Sequence, residues 1–321
     1  LDLGFDMQLF NALDITFDWF RERRTNIFQQ KLSIPNYLGT ANTKIYGNLA
    51  EVINKGFDMA VNYSKRINND LSIQFQGTFT YNNNKISVYD EAPGKREAMK
   101  SQGKNVKTVW GYVANGLYID KADVAKNPTS TLGNIAIAPG DIKYVDQPDR
   151  NGEYDGRITA DDQVPLGVSV PKIIYGFGPS VGYKNWDFSV FFQGRGNVAL
   201  MLSDIQPFGS SYRRGVLEFV DEDHWSPDNQ NPNAKYPRLT DNYNNHNTAS
   251  SSYWLRNGRF LKLKNAEIGY SLKNMRFYVN GTNLLTFSPF KKWDPEMGGG
   301  NYTTKYPTQM TVNVGVQLTI N

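Results

Sequence analysis

The stretch Leu71-Ser-Ile-Gln-Phe-Gln-Gly-Thr-Phe-Thr-Tyr81 puts Leu71, Ile73, Phe75, Phe79 and Tyr81 on one parity. Ser72, Gln74, Gln76, Thr78 and Thr80 fall on the other. Consecutive side chains of a strand point to opposite faces, so this is a strand with one apolar face and one polar, uncharged face. Its length suits a tilted strand crossing a bilayer. The pattern returns at Leu13, Ile15, Phe17, Trp19, at Trp186, Phe188, Val190, Phe192, and at Met310, Val312, Val314, Val316, Leu318, Ile320. The interleaved Asp14, Thr16, Asp18 and Thr311, Asn313, Gln317, Thr319 are polar. A soluble sandwich buries the apolar face, whereas a membrane barrel turns it to lipid and keeps water within.

Membrane-length strands are expected at 1–10, 13–28, 53–66, 71–84, 172–183, 185–197, 258–271, 275–287 and 309–320. Tight polar turns at Asn11-Ala12, Ile67–Asp70, Lys184-Asn185 and Leu272–Asn274 alternate with long stretches near 29–52, 85–171, 198–257 and 288–308. That alternation gives one rim of short turns and one of long, extracellular loops, as in an up-and-down barrel. Val106–Ile119 also reads as a strand, but counting it would move every later short turn to the wrong rim. It is therefore expected inside the 85–171 excursion. Nine strands are an odd number, and an open edge in hydrocarbon leaves backbone groups unpaired. The expected fold is all-β: an antiparallel up-and-down transmembrane β-barrel, incomplete in this chain. Residues 1–321 are expected to be the C-terminal part of one barrel domain without a plug, its missing strands coming from an N-terminal portion or a second chain.

Hydrophobic residues make up 39% of the 321 residues and mean hydropathy is −0.55, with no apolar run long enough for a transmembrane helix. Barrel strands need none, because their apolar residues sit at alternate positions. Nineteen Tyr, eighteen Phe and six Trp suit either a membrane girdle or a sugar site. A net charge of +4 is too mild and dispersed for nucleic acid. The absence of cysteine closes disulfide and thiolate-metal readings.

Asp149-Arg-Asn-Gly-Glu-Tyr-Asp-Gly-Arg-Ile-Thr-Ala-Asp-Asp162 resembles a calcium loop. Asn151, Glu153 and Asp155 fall at positions one, three and five, Gly156 at six and Asp162 at twelve, with Asp149 just before. Asn at position one and the short Asp at twelve depart from that pattern, and an Asx-rich turn is the other reading. His224 and His246 lie in one long loop without organised partners. Ser210-Ser211 and Ser250–Ser252 lack any nucleophile-elbow context, and Gly298–Gly300 precedes no Lys-Ser/Thr pair. Arg21, Arg23 and Arg24 sit where a strand climbs to the long-loop rim, placed either for anionic lipid or as a solvated charge run. Trp110, Tyr112, Tyr118, Trp225, Tyr236 and Trp254 are candidates for stacking on substrate or on a lid partner, against internal loop packing as the alternative. Ordered loops this long usually serve a function.

Several longer blocks occur in order: Pro139–Asp146, His224–Asn229, Ala234–Leu239, Tyr253–Tyr270, Val279–Phe287 and Asp294-Pro-Glu296. Together with Leu1–Asp6 and Asn54–Asp58 they resemble the C-terminal half of SusC/RagA-type TonB-dependent outer-membrane transporters over essentially the whole chain. The resemblance implies a large plugged barrel in the bacterial outer membrane and no catalytic residue. It also implies a SusD-like surface lipoprotein as lid, energy through TonB, outer-membrane lipid around the wall, and uptake of oligosaccharides or oligopeptides. The family's acidic loop resembles Asp149–Asp162, but this chain carries two extra residues between Asn151 and Asp155, which bears on possible Ca²⁺ binding. Two other classes compete. A soluble all-β carbohydrate-binding module would be stable without detergent, and a membrane-embedded hydrolase would need a Ser/His pair on adjacent strands.

Overall fold

A computed structural model describes residues 1–34, 44–203, 216–300 and 306–320; Ser210 and Ser211 lie outside them. Nine strands form one continuous antiparallel sheet in chain order. They are β1 (Asp2–Leu9), β2 (Leu13–Gln30), β3 (Tyr46–Arg66), β4 (Leu71–Val88), β5 (Ile173–Tyr183), β6 (Trp186–Gly196), β7 (Phe260–Leu272), β8 (Met275–Phe287) and β9 (Thr311–Leu318). Each expected strand is present. The largest differences lie at the long-loop end, where β3 begins at Tyr46 and β4 continues to Val88. Lys184 and Lys273 take the left-handed backbone that two-residue turns need, at φ 54° and 51°.

Cross-strand pairing carries the alternation around the wall. Phe5, Phe17, Met59, Phe79 and Tyr175 lie in one row across β1 to β5. Rings stack along it, Phe5 on Phe17, Phe17 on Phe57 and Phe57 on Phe79, with centroids 5.6–5.7 Å apart. Phe188, Ile268 and Val279 continue the apolar face in register, and Val314 stands 81% exposed on it. A surface of large exposed hydrophobic side chains on this scale needs a non-aqueous neighbour. The opposite face holds Asp6 beside Thr16, and Asp18 opposite Asp58 opposite Thr80. Thr16 and Thr80 donate to Asp6 and Asp58 at 2.7 and 2.6 Å. Both β1 and β9 pair on one side only, so the sheet is open, an incomplete barrel.

Val106–Ile119 stays out of the wall. Its two short strands, Thr108–Gly111 and Ala114–Leu117, pair with Val164–Val168 and Ile142–Tyr144 inside the same excursion. The principal buried hydrophobic cluster lies in the long connections, not under the sheet. These loops fold together as a cap at one end of the wall.

Candidate functional site

The cap is built by the blocks that carry the family resemblance. Gly140 takes φ +87°, and a Cβ there would sit 2.3 Å from the Trp225 ring, so the turn and the close approach both require glycine. Asp141, 1% exposed, accepts both arms of Arg238 at 2.7 and 3.1 Å, and the amides of Asn244 and Asn247 at 3.2 and 2.8 Å. Asn247 in turn accepts the Ile142 N–H at 2.9 Å, and its carbonyl accepts Trp254 Nε1–H at 2.7 Å. Four distant segments are thereby locked by one buried, satisfied polar network.

His246 is buried in this network. Its Nε2 lies 2.6 Å from the Ile142 carbonyl and its Nδ1 2.9 Å from Ser130 Oγ. With the carbonyl as partner, Nε2 carries the proton and Nδ1 accepts from Ser130. Burial pushes the imidazole pKa down, so it stays neutral. Among the described residues this is the place where a Ser hydroxyl meets a His ring, yet the ring is oriented by a carbonyl and buried within the cap. It holds loops together. His224 Nδ1 lies 2.6 Å from the Asp221 carbonyl at a loop surface.

The structure buries five of the six candidate aromatics in the cap, and four of them, Tyr112, Trp225, Tyr236 and Trp254, share one hydrophobic cluster. Tyr112, Tyr118, Trp225, Tyr236 and Trp254 are 0–7% exposed. Their faces are taken by packing: Tyr112 on Tyr144 at 5.2 Å, Tyr236 on Trp254 at 6.4 Å. For these five, internal packing is the observed state, because loops of this length need a core of their own. Trp110 alone stays half-buried at the surface.

The acidic loop places Asp149, Glu153, Asp155 and Asp162 around a cavity of about 230 Å³ that Lys95, Arg96 and Arg150 also line. Most of these carboxylates are already engaged by backbone. Asp149 Oδ1 accepts the N–H groups of Asn151 and Glu153 at 2.7 and 3.0 Å, which holds its pKa below the usual range. Asp155 accepts from Arg157 N–H at 2.8 Å. Asp162 closes a capping box with Thr159 and also accepts from Gln147 N–H at 2.8 Å. Asn151 turns its amide onto Asp149. Among the described residues no three acidic or histidine side chains converge as a metal would require. The geometry is that of nested Asx turns. Sequence reasoning overlooked Asp146, which ends the Pro139–Asp146 block. It is buried, with Oδ2 accepting from Gly156 N–H at 2.8 Å and Oδ1 unpartnered; burial, with Asp162 and Asp155 nearby, pushes its pKa up.

Below the cap, the polar face of the wall carries its own charge pairs. Arg276 bridges Asp187 and Glu267, and Asn280 donates to Glu267 at 3.1 Å. Higher up, the segment Phe290–Gly298 folds inward onto this face. Lys262, side chain wholly buried, lies 2.5 Å from Asp294 and 2.6 Å from Glu296, while Arg195 donates to the Pro295 carbonyl at 2.6 Å. Lys262 alternates with Leu261 and Leu263 of the apolar face, so this strap lies inside the barrel.

No family model matches the chain. TonB-dependent receptor P3 of Formosa agariphila is 27% identical over 98% of the chain, and receptor P26 of the same organism is 27% identical over 99%. TonB-dependent receptor SusC of Bacteroides thetaiotaomicron is 24% identical over 99%. The chain spans about a third of the length of these relatives. Its fold matches the RagAB peptide transporter with a TM-score of 0.69 at 20% identity, over 99% of the chain and 34% of that protein. The nine-stranded two-faced wall, the inward strap and these likenesses agree: the chain is similar over nearly its whole length to about a third of the SusC/RagA-type TonB-dependent receptors of the bacterial outer membrane, and it has the fold of part of their barrel.

Proposed function

We propose that this chain forms part of the wall and extracellular cap of an active importer of oligosaccharides or oligopeptides. The observation that carries the reading is the two-faced wall, apolar outward and polar inward, joined to a cap and an inward strap. Such a wall offers a passing solute many weak polar contacts and no chemistry, so the proposal assigns no catalytic residue. A SusD-like lipoprotein would cover the cap, with Trp110 the candidate aromatic left to meet it or the substrate. Energy would arrive from TonB through the part of the receptor upstream of this wall. The name of the RagAB relative favours peptide as cargo, and that of SusC favours no particular one.

Native detergent extraction and capture of this polypeptide tests the proposal. Recovery with a plug-bearing barrel portion and a surface lipoprotein is the expected result. Recovery folded, alone and from the soluble fraction would replace the importer with the carbohydrate-binding module.

Calcium enters this proposal at Asp146 and Asp162, the buried pair with an oxygen to spare. Burial first, and the neighbouring Asp162 and Asp155 charges after it, raise the Asp146 pKa, and a cation there would offset both. Added Ca²⁺ is then expected to raise the melting temperature of the receptor, and Asp146→Asn to remove that rise. An identical melting temperature with and without Ca²⁺ would leave the loop as Asx turns only.

A further inference from the structure

The transport reading leaves one group of cations unused, and its core, Arg21, Lys55 and Lys85, lies on the outward face. Trp19, Phe57 and Tyr81 face one another across β2, β3 and β4. Residues two apart on a strand share a face and step by about 7 Å. One step toward the long-loop rim, that same face carries Arg21 opposite Lys55 opposite Asn83. The next step carries Arg23 opposite Ile53 opposite Lys85. Gly103 N–H donates to the Ile86 carbonyl at 2.8 Å, and Ile86 N–H to that of Lys104 at 2.9 Å, which lays Lys104 beside Lys85. Lys85, Lys104, Lys172 and Asn83 line a cavity of about 370 Å³ whose lining contains no carboxylate.

Arg23 is paired with Glu51 at 2.6 Å, and Glu51 also accepts from Ser87 at 2.6 Å. Among the described residues, Arg21, Lys55, Lys85, Lys104 and Lys172 form no ion pair. Aromatic rows mark the membrane interface, so these cations stand at the height of the outer headgroups. A cargo inside the barrel meets the other face of the wall and cannot neutralise Arg21, Lys55 and Lys85. We propose that this surface binds the phosphate groups of outer-leaflet glycolipid, the acyl chains lying against the Trp19–Phe57–Tyr81 row. The lysines act as point charges, and the Asn83 amide supplies hydrogen-bond donors.

The full receptor in phosphatidylcholine nanodiscs tests this, with the discs doped either with phosphorylated lipid A or with lipid A stripped of its phosphates. Lipid A retained per receptor is read by mass spectrometry. The phosphorylated form is expected to be retained roughly a hundred-fold over the stripped form, and the excess to shrink as salt rises. Arg21→Ala/Lys55→Ala/Lys85→Ala should lose most of that excess, each cation accounting for about five-fold. Lys184→Ala/Lys273→Ala at the short-turn rim should keep it. If the triple variant no longer migrates as a folded, heat-modifiable barrel, Lys85→Gln alone should still show about a five-fold loss. Equal retention of both lipids, or retention unchanged in the variants, overturns the proposal. Displacement by an equal concentration of inorganic phosphate overturns it too, since the ligand would then be a free anion. Substrate uptake is expected to be unchanged in these variants, so failure here leaves the importer reading standing.

Discussion

Lysine at Phe75 or Phe188 will destabilise the receptor by about 2–4 kcal/mol, while lysine at the adjacent Gln76 or Ser189 will cost little. The contrast follows from parity alone. Phe75 lies in register with Pro179, and Phe188 with Val181 and Ile268, all on the face of exposed large hydrophobics. An ammonium placed there must leave water for hydrocarbon, and near the bilayer midplane its stem cannot reach a headgroup. Gln76 and Ser189 belong to the face of Asn62 and Glu267, where water and polar partners are at hand. Denaturant unfolding of the full receptor refolded into lipid vesicles measures both pairs. Equal penalties on the two faces would mean that the apolar face is covered by protein rather than lipid, and the membrane wall would fall with it.

The wall was legible from sequence because its information is local. A strand facing lipid on one side and water on the other writes its environment into every second residue, so Leu71–Tyr81 announces both faces within eleven positions. The rims were legible because Lys184-Asn185 is too short to be anything but a hairpin. The cap was not. Asp141 finds Asn247 and Arg238 about a hundred positions later, and Tyr112 bridges to Ser251, and no periodicity records such meetings. Loop aromatics therefore look alike in sequence whether they line a site or fill a core. Trp254 and Tyr236 proved to be core, whereas Trp110 kept its surface. The acidic loop misled in a related way. Oxygens at calcium spacing are also the oxygens that cap successive turns, and Asp149 and Asp162 point at amides. The outward cations were only partly visible, because Arg21 and Arg23 are neighbours in sequence but Lys55 and Lys85 join them only through register.

Lys262→Met will free the inward strap at a cost of about 3–5 kcal/mol, the penalty of removing one partner from a buried ion pair. Methionine fills the space of the lysine stem, so the loss is chiefly that of the ammonium. Asp294 and Glu296 would then face each other with Lys264, 3.1 Å from Glu296, and the nearby Arg195 guanidinium offsetting only part of their charge. The pH dependence carries the diagnosis. Burial pushes the Asp294 carboxyl up, but hydrogen bonding and charge from Lys262 more than offset it, and the carboxyl rests below its usual range; Glu296 behaves alike. A depressed carboxylate contributes stability that is present above its unfolded pKa, about 4, and is lost as pH falls through the folded value. In wild type the strap should therefore weaken only in acid. In Lys262→Met burial prevails, both carboxyls rise, and acid should firm the strap by protonating them. Amide exchange at Met297 and Gly298, whose N–H groups donate to Asp294 and Pro295 at 3.0 and 3.1 Å, reads this directly. At neutral pH the variant should exchange roughly a hundred- to several-thousand-fold faster, and the two proteins should converge as pH drops. Exchange that is equally slow in both proteins would mean that the strap is held by Phe290 and Trp293 packing rather than by charge. A parallel, pH-independent increase would assign the loss to packing of the lysine stem. Only convergence in acid identifies Lys262 as the ion that fastens the strap to the inner wall.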